Sequence, residues 1–302
     1  MALQKVRDEV ITPERRGLYR QAVWISIAGN STLAFMKGTA AWLSGSSAMY
    51  SDAANSLSDL LYSVLMALGL CLSQRPADEG HPQGHSRFEP IVGLLIGAAM
   101  AAAGIAAIAE AIGRLTRDAR QITLGWATAA LILSTLLKLA MYFAVRRIGR
   151  RTLSPAIEAS AQDNLSDVLT SAAALLGIWS SRLVHPLLDP IVGIVVALWI
   201  FRAAWEIVWE NLGYLTGRGI STRLTNEIIT AASSVPGVLG VHQVIADHVG
   251  PQIRVDLHID VDGQMTVTQC HTITDQVQTT VEALPTVDLA FVHVEPIRVK
   301  AE

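Results

Sequence analysis

Long apolar stretches within residues 17–214 constrain the fold of this chain more than any other feature. A helix that crosses a bilayer needs about 20 mostly apolar residues, and six stretches meet that length. They cover residues 18–43, 47–72, 90–114, 122–145, 160–179 and 187–212. The sequence therefore predicts an all-α membrane domain of six helices in a lipid bilayer.

The composition agrees with a membrane protein and excludes other classes. Hydrophobic residues make up 51% of the chain and charged residues only 16%, against about 25% charged residues in ordinary soluble domains. The net charge is −3, and neither basic runs nor clustered aromatics suggest a nucleic-acid partner. Cys71 and Cys270 have no CxxC spacing, which argues against a disulfide framework. The polar first residues, through Arg16, predict no removable signal peptide.

The distribution of basic residues predicts the orientation. Basic side chains collect on the cytosolic side of membrane proteins. They precede the first span as Lys5, Arg7, Arg15, Arg16 and Arg20, and they fill the fourth connection as Arg146, Arg147, Arg150 and Arg151. We therefore expect both termini in the cytosol. Arg114, Arg117 and Arg120 of the third connection would then be external, which argues against this orientation.

The pattern changes after Gly217, where apolar and polar residues begin to alternate. Residues 222–234 and 266–284 have the periodicity of helices, whereas residues 253–260 and 288–294 have that of strands. A sheet covered by two helices forms its own small core. We expect a cytosolic N-terminal segment at 1–16, a six-helix transmembrane domain at 17–214 and a cytosolic domain at 215–302.

A polar motif occurs twice within the predicted membrane helices. Residues 55–63 are NSLSDLLYS and residues 163–171 are DNLSDVLTS. Residues four apart lie on one helix face, so each motif presents two oxygen donors toward a common point. Together Asn55, Asp59, Asp163 and Asp167 can form a four-ligand metal site.

An alternative explanation of these aspartates is structural. They could cap helix ends or pair with Lys37 and Lys138. An intramembrane carboxylate costs at least about 2.5 kcal/mol on insertion scales, so the repeated spacing favours a metal site. Oxygen donors suit Mg²⁺, Mn²⁺ and Fe²⁺, whereas Zn²⁺ usually recruits imidazole or thiolate. We leave Asp52, three residues before Asn55, outside the ligand set.

Residues 30–37 (NSTLAFMK), 44–59 (SGSSAMYSDAANSLSD) and 163–167 (DNLSD) resemble the signature of the cation diffusion facilitator family. The resemblance implies a homodimeric antiporter that exchanges cytosolic divalent cations for protons by alternating access, in a bacterial-type inner membrane. Asn55, Asp59, Asp163 and Asp167 align with the family's metal ligands. Manganese-exporting members resemble this ligand set, so Mn²⁺ is the expected substrate, with Zn²⁺, Fe²⁺ or Co²⁺ as alternatives. Since neither motif contains a histidine, carboxylates would carry the protons.

The resemblance implies two further metal sites and a ferredoxin-like α-β-β-α-β fold for the cytosolic domain. Asp78, His81 and His85 align with a cytosolic loop site, although solvated or turn-stabilising histidines are an alternative. The family's binuclear site at the dimer interface corresponds to His242, His258, His271, His293 and Glu295. Scattered surface histidines are the alternative there. His248 has no counterpart.

The chain departs from the family at one charge pair. Zinc-exporting relatives carry an acidic residue after the sixth helix and a basic partner near the third, where this chain has Gly217 and Arg87. That interlock between subunits would be absent, or rebuilt through Glu89 or Glu210.

Two other functional classes are alternatives to a transporter. A membrane-bound metal sensor would not need acidic motifs in the membrane. A metallohydrolase needs an open coordination position and a separate base, and we expect no enzyme and no organic cofactor.

Overall fold

The computed structural model describes residues 13–44, 47–116, 126–183 and 188–297. Within them the chain forms six long helices, α1 (Pro13–Ser44), α2 (Ser47–Ser73), α3 (Phe88–Thr116), α4 (Trp126–Thr152), α5 (Pro155–Leu183) and α6 (Leu188–Leu215). Two further helices and three strands follow, α7 (Thr222–Ser233), β1 (Gly240–Val249), β2 (Gln252–Asp262), α8 (Val267–Glu282) and β3 (Val287–Ile297). The prediction of a six-helix domain followed by an α-β-β-α-β domain is confirmed. The chain divides into two compact units, Met1–Leu212 and Gly213–Glu302.

Helix α4 extends seven residues beyond its apolar stretch, to Thr152. The basic residues assigned to the fourth connection, Arg146, Arg147, Arg150 and Arg151, therefore lie on this helix rather than in a loop, which corrects that prediction. Arginine is a good helix former, and basic side chains near a helix C-terminus interact favourably with the helix dipole.

A short corner joins α4 to α5. Leu153 adopts the left-handed conformation (φ 52°) and ends α4, and the Ser154 hydroxyl then accepts a bond from the Ile157 amide at 3.2 Å. Proline suits the first helical position, so α5 begins at Pro155, before the predicted start at residue 160. The basic residues before Pro13, together with Arg117 and Arg120, lie outside the described residues.

In the described part of the chain, three stretches are by themselves long and apolar enough to cross a membrane, Ala53–Ser73, Phe88–Gly113 and Ile191–Leu215. The other three helices of this unit carry polar groups at mid-length, including Asn30 on α1, Lys138 on α4 and Asp163 on α5. Helix α1 packs on α2, and α4 packs on α5. These polar groups are therefore surrounded by neighbouring helices, and the apolar core of the unit includes Met66 and Ile157.

Glycines on α3 allow a close approach to α6. A Cβ atom at Gly93 would lie 2.2 Å from Oδ1 of Asn211, and one at Gly97 would lie 2.9 Å from Cγ2 of Val208. Small residues let membrane helices pack with their backbones near each other. Helices α3 and α6 therefore form a tightly packed pair.

The second unit contains a three-stranded sheet in the order β1-β2-β3. Strands β1 and β2 are antiparallel, whereas β2 and β3 are parallel, and a parallel pair requires a crossover such as α8. The buried face of β2 consists of Ile253, Val255, Leu257, Ile259 and Val261. These residues belong to one core with Ile228 of α7 and Val277 of α8. The opposite face of β2 carries polar residues, as the alternation predicted.

Candidate metal sites

Three aspartates converge inside the helical unit. Asp59 extends from α2, and Asp163 and Asp167 extend from consecutive turns of α5. One carboxylate oxygen of each residue lies within 4.8 Å of those of the other two. We call Asp59, Asp163 and Asp167 the acidic cluster. Oxygen donors at this spacing can bind one cation.

A lysine from α4 reaches into the acidic cluster. Nζ of Lys138 lies 2.8 Å from Oδ2 of Asp59 and 2.6 Å from Oδ2 of Asp167. Its side chain is only 6% exposed. The ion pairs considered above as an alternative are therefore present for Lys138, and they involve two of the three carboxylates that would bind a metal.

Asn55 lies one turn before Asp59 on α2 and is exposed. Residues four apart share a helix face, so Asn55 lies on the same face as Asp59. The side chain of Asp52 belongs to the part of the chain that is not described.

A buried asparagine joins α1 to α2 beside the cluster. Nδ2 of Asn30 donates to Oγ of Ser63 at 2.8 Å and to the backbone oxygen of Asp59 at 3.4 Å. The Ser63 hydroxyl donates to the same backbone oxygen at 3.0 Å. Sequence reasoning assigned these residues no function, although both are polar residues in predicted membrane helices. They hold the turn of α2 that carries Asp59.

The loop between α2 and α3 contains a second group, the loop cluster of Asp78, His81 and His85. Their ligand atoms lie within 4.8 Å of one another, and Nε2 of His85 is 3.4 Å from Oδ2 of Asp78. The His81 amide donates to the Asp78 carboxylate at 2.7 Å, and this bond lowers the pKa of Asp78. His85 is buried, and among the described residues its Nδ1 has no hydrogen-bond partner. The loop thus brings together the three residues that the sequence grouped.

The polar face of the three-stranded sheet holds a third group, the histidine cluster of His242, His258 and Glu295, with ligand atoms within 4.8 Å of one another. The His258 ring nitrogen donates to Oε1 of Glu295 at 3.1 Å, which lowers the pKa of that carboxyl. Val241 pairs with Ile259 and Gln243 with His258, so His242 is an extra residue at a β-bulge. A bulge redirects a side chain, and the His242 ring contacts the His258 ring at a centroid distance of 5.5 Å.

Two other residues predicted for this site, His293 and His271, differ in their distance from the histidine cluster. His293 pairs with His258 across β2 and β3, with ring centroids 4.6 Å apart. His271 is not part of the cluster within one chain, since it lies exposed on α8 with Asp275 at 3.7 Å. Sequence reasoning missed Asp260, whose Oδ1 is 3.0 Å from Nδ1 of His242. Its position two residues after His258, on the same strand face, was the available signal.

Gly217 and Glu89 belong to the region where zinc-exporting relatives carry the charge pair described above. Contacts within this chain explain both residues. Gly217 adopts φ +70°, a conformation that favours glycine, and a Cβ atom there would lie 3.1 Å from Oδ2 of Asp247. Glu89 is buried and accepts a hydrogen bond from the Tyr19 hydroxyl at 3.3 Å. A second acidic residue beside Asp247 would therefore be disfavoured at Gly217, and Glu89 is engaged inside the helical unit.

Two family models match consecutive parts of the chain. The first, described as the cation efflux transmembrane domain, matches residues 23–216. The second, described as the cytoplasmic domain of a cation efflux protein, matches residues 220–297. The two matches cover both structural units.

Several characterised and uncharacterised proteins are similar over most of the chain. An uncharacterized transporter of Methanocaldococcus jannaschii is 32% identical over 90% of this chain and 96% of its own length. The manganese efflux system protein MneS of Bacillus subtilis is 27% identical over 91% of this chain and 95% of its own. The magnetosome protein MamM of Paramagnetospirillum magneticum is 30% identical over 87% and 83%. A solved nickel form of the MamM C-terminal domain is 34% identical, covers 26% of this chain and all of that chain, and has a TM-score of 0.25.

Proposed function

Because the chain belongs to the cation efflux family, we propose that this membrane protein exports a divalent metal from the cytosol and that its main substrate is Mn²⁺. The similarity to a manganese efflux protein along nearly the whole chain supports this substrate. The observation that carries the proposal is the acidic cluster, because its donors inside the helical unit are carboxylate oxygens. Carboxylate and carbonyl oxygens suit Mn²⁺, whereas imidazole and thiolate ligands suit Zn²⁺.

We assign the metal to Asn55, Asp59, Asp163 and Asp167. The carboxylates extend from α2 and α5, so relative movement of these helices changes the ligand geometry. Such a change can open the site to either side of the membrane in turn. Protons that return through the site would bind the same carboxylates, since neither motif contains an imidazole. This is antiport by alternating access.

We place both termini in the cytosol and the protein in a bacterial-type inner membrane as a homodimer. An even number of spans puts the termini on one side, and the match of residues 220–297 to a cytoplasmic domain supports the cytosolic side. The histidine cluster, with His293 beside it, would bind regulatory metal. His271 would join this site across the dimer. The loop cluster would be a second peripheral site.

Zn²⁺ efflux is the second candidate, because imidazoles in the loop and histidine clusters suit zinc. Export of Fe²⁺ or Co²⁺ would use the same mechanism. A membrane-bound metal sensor is the alternative from a different class, and it would bind metal without moving it.

The test is metal uptake by proteoliposomes that contain the purified full chain, with Mn²⁺, Zn²⁺, Fe²⁺ and Co²⁺ compared with and without a proton gradient. We expect uptake of Mn²⁺ that depends on the gradient. The variant Asn55→His should shift the preference toward Zn²⁺ by about tenfold, because an imidazole replaces an amide oxygen. Zinc preference in the unaltered chain would overturn the choice of metal, uptake without proton counter-flow would overturn antiport, and binding without uptake would favour the sensor.

A further inference from the structure

We propose that Lys138 is a tethered counter-cation of the transport site. Its ammonium group binds the acidic cluster between transport cycles and withdraws when a divalent metal enters. Lys138 thereby sets the affinity of the site for the metal. This inference rests on the proposed role of the acidic cluster in transport.

The geometry makes Lys138 part of the cluster. It comes from α4, which carries none of the four proposed ligands, yet its Nζ lies 2.8 Å from Asp59 on α2 and 2.6 Å from Asp167 on α5. The side chain is 6% exposed, so the contact is not one of the weak ion pairs of a solvated surface. One buried ammonium thus bridges carboxylates from both helices of the proposed site.

The charges of the cluster favour this role. Three carboxylates carry a formal charge of −3, and the Lys138 ammonium brings the total to −2. A divalent cation that displaces the ammonium replaces its single positive charge with two, and so compensates the carboxylates more fully. Asn55 can add an oxygen ligand without changing this balance. Buried charge is costly unless it is compensated, so the ammonium stabilises the metal-free cluster until a divalent ion replaces it.

The metal and the ammonium compete for the same oxygens. Hard divalent ions bind protein oxygens at about 2.0–2.6 Å, and the ammonium already lies at hydrogen-bonding distance from Oδ2 of Asp59 and Oδ2 of Asp167. Two cations cannot share these atoms without strong repulsion. The four-carbon stem of lysine is flexible, so the ammonium can move away while its backbone stays in α4. Its return would then help to release the metal.

A purely structural ion pair predicts the opposite effect on binding. If Lys138 only held α2, α4 and α5 together, removing its charge would loosen the site and weaken metal binding. If it competes with the metal, removing its charge strengthens binding and slows release. The sign of the change in affinity therefore separates the two roles.

The experiment measures Mn²⁺ binding to the full chain in lipid nanodiscs by titration calorimetry. Asp59→Asn identifies the transport site, since the binding component that this variant removes belongs to the acidic cluster. We expect Lys138→Met to lower the Kd of that component by about tenfold or more, because a nearby positive charge is lost. Mn²⁺ uptake at saturating metal should become slower. Lys138→Gln, which also lacks the charge, should behave in the same way.

Two further variants test the cause. Lys138→Arg keeps the positive charge and should keep the weaker affinity. Ser134→Ala removes a buried hydroxyl one turn earlier on α4 that, among the described residues, donates only to the Leu131 carbonyl at 2.9 Å, and it should leave affinity and uptake unchanged. If Lys138→Met does not fold, Lys138→Gln carries the same comparison.

Unchanged or weaker Mn²⁺ binding in the folded uncharged variants would overturn the proposal, as would equal affinities of Lys138→Arg and Lys138→Met. Failure of the underlying function gives a different result. If Asp59→Asn leaves both Mn²⁺ binding and uptake intact, the assignment of the transport site is wrong. If Asp59→Asn abolishes uptake while Lys138→Met does not tighten binding, the transport site stands and only the role of Lys138 falls.

Discussion

The acidic cluster and the histidine cluster both gather possible metal ligands, but they balance charge in different ways. In the helical unit, Lys138 is nearly buried and neutralises part of the carboxylate charge through contacts of 2.6 and 2.8 Å. In the second unit, which we place in the cytosol and call the cytosolic unit, His242, His258 and Glu295 are partly exposed, with side-chain exposures of 39%, 30% and 46%. Solvent can stabilise the charges of the second group, whereas the first depends on its own counter-ion.

This contrast indicates what each site can tolerate. Loss of a carboxylate from the acidic cluster leaves the nearly buried Lys138 ammonium with one partner fewer, which is costly. The same change on the sheet surface is screened by water and salt. We therefore expect large effects on transport from the helical unit and graded effects on metal binding from the cytosolic unit.

The largest expected effect comes from Asp59→Asn. Loss of this carboxylate removes a proposed ligand and one partner of Lys138, so Mn²⁺ uptake by proteoliposomes should fall by about a hundredfold or more, as for the loss of one member of a buried charged pair. Metal binding by the cytosolic histidines should persist in the same protein, as measured by calorimetry.

The neighbouring variant Ser58→Ala is the matched control for that experiment. Ser58 bonds to the Ala54 carbonyl on its own helix at 3.2 Å, and its loss should leave uptake unchanged. Substantial uptake by Asp59→Asn would remove the proposed contrast between the two clusters, because the buried site would then tolerate the loss of a charge.

A smaller effect is expected from His258→Ala in the histidine cluster. This change removes an imidazole ligand and the hydrogen bond to Glu295, so the affinity of the cytosolic unit for metal should fall by about tenfold or more, on the scale known for disrupted metal sites. Asp256→Ala is the control, since Asp256 lies on the same strand face but contacts Arg254 at 3.3 Å. Equal losses in both variants would indicate general electrostatic attraction instead of a specific site.

Uptake by His258→Ala at saturating Mn²⁺ should stay close to that of the unaltered chain. If uptake is abolished as completely as in Asp59→Asn, the cytosolic histidines are essential for transport itself, and the division of roles between the two units is wrong.

The smallest effect is expected from Gly217→Asp, which restores the acidic residue expected in zinc-exporting relatives. The left-handed conformation disfavours a side chain by about 1–2 kcal/mol, and the new carboxylate would lie beside Asp247. The thermal stability of the cytosolic unit should therefore decrease. Gly217→Asn provides the control, because asparagine tolerates this conformation and adds no charge. A more stable Gly217→Asp protein would show that the acidic residue finds a basic partner.

The sequence predicted the elements whose signals are local. Six apolar stretches predicted six helices, and the alternation along residues 253–260 predicted which face of β2 is buried. The repeated spacing placed Asp59, Asp163 and Asp167 on facing turns, and the structure brings them together. These predictions depend on helical and strand periodicity, which each segment carries by itself.

Other features depend on contacts between distant segments. The sequence offered both Lys37 and Lys138 as partners for the aspartates, and only the packing of α4 against α5 gives Lys138 its contacts. The bulge at His242 follows from the pairing of β1 with β2. The basic residues at the C-terminus of α4 continue the helix beyond its apolar stretch, so hydrophobicity alone predicted an end that came too early.

The bulge also affects how the cytosolic site can change during evolution. Deleting His242 would bring Val241 directly before Gln243, and both residues could keep their present partners, Ile259 and His258. The ladder would become regular, and the apolar side of β2 would remain buried. Loss of a single codon could thus remove one metal ligand without altering the fold, and insertion of one codon could restore it. A lineage could gain or lose this cytosolic ligand while the residues of the membrane pathway stay unchanged.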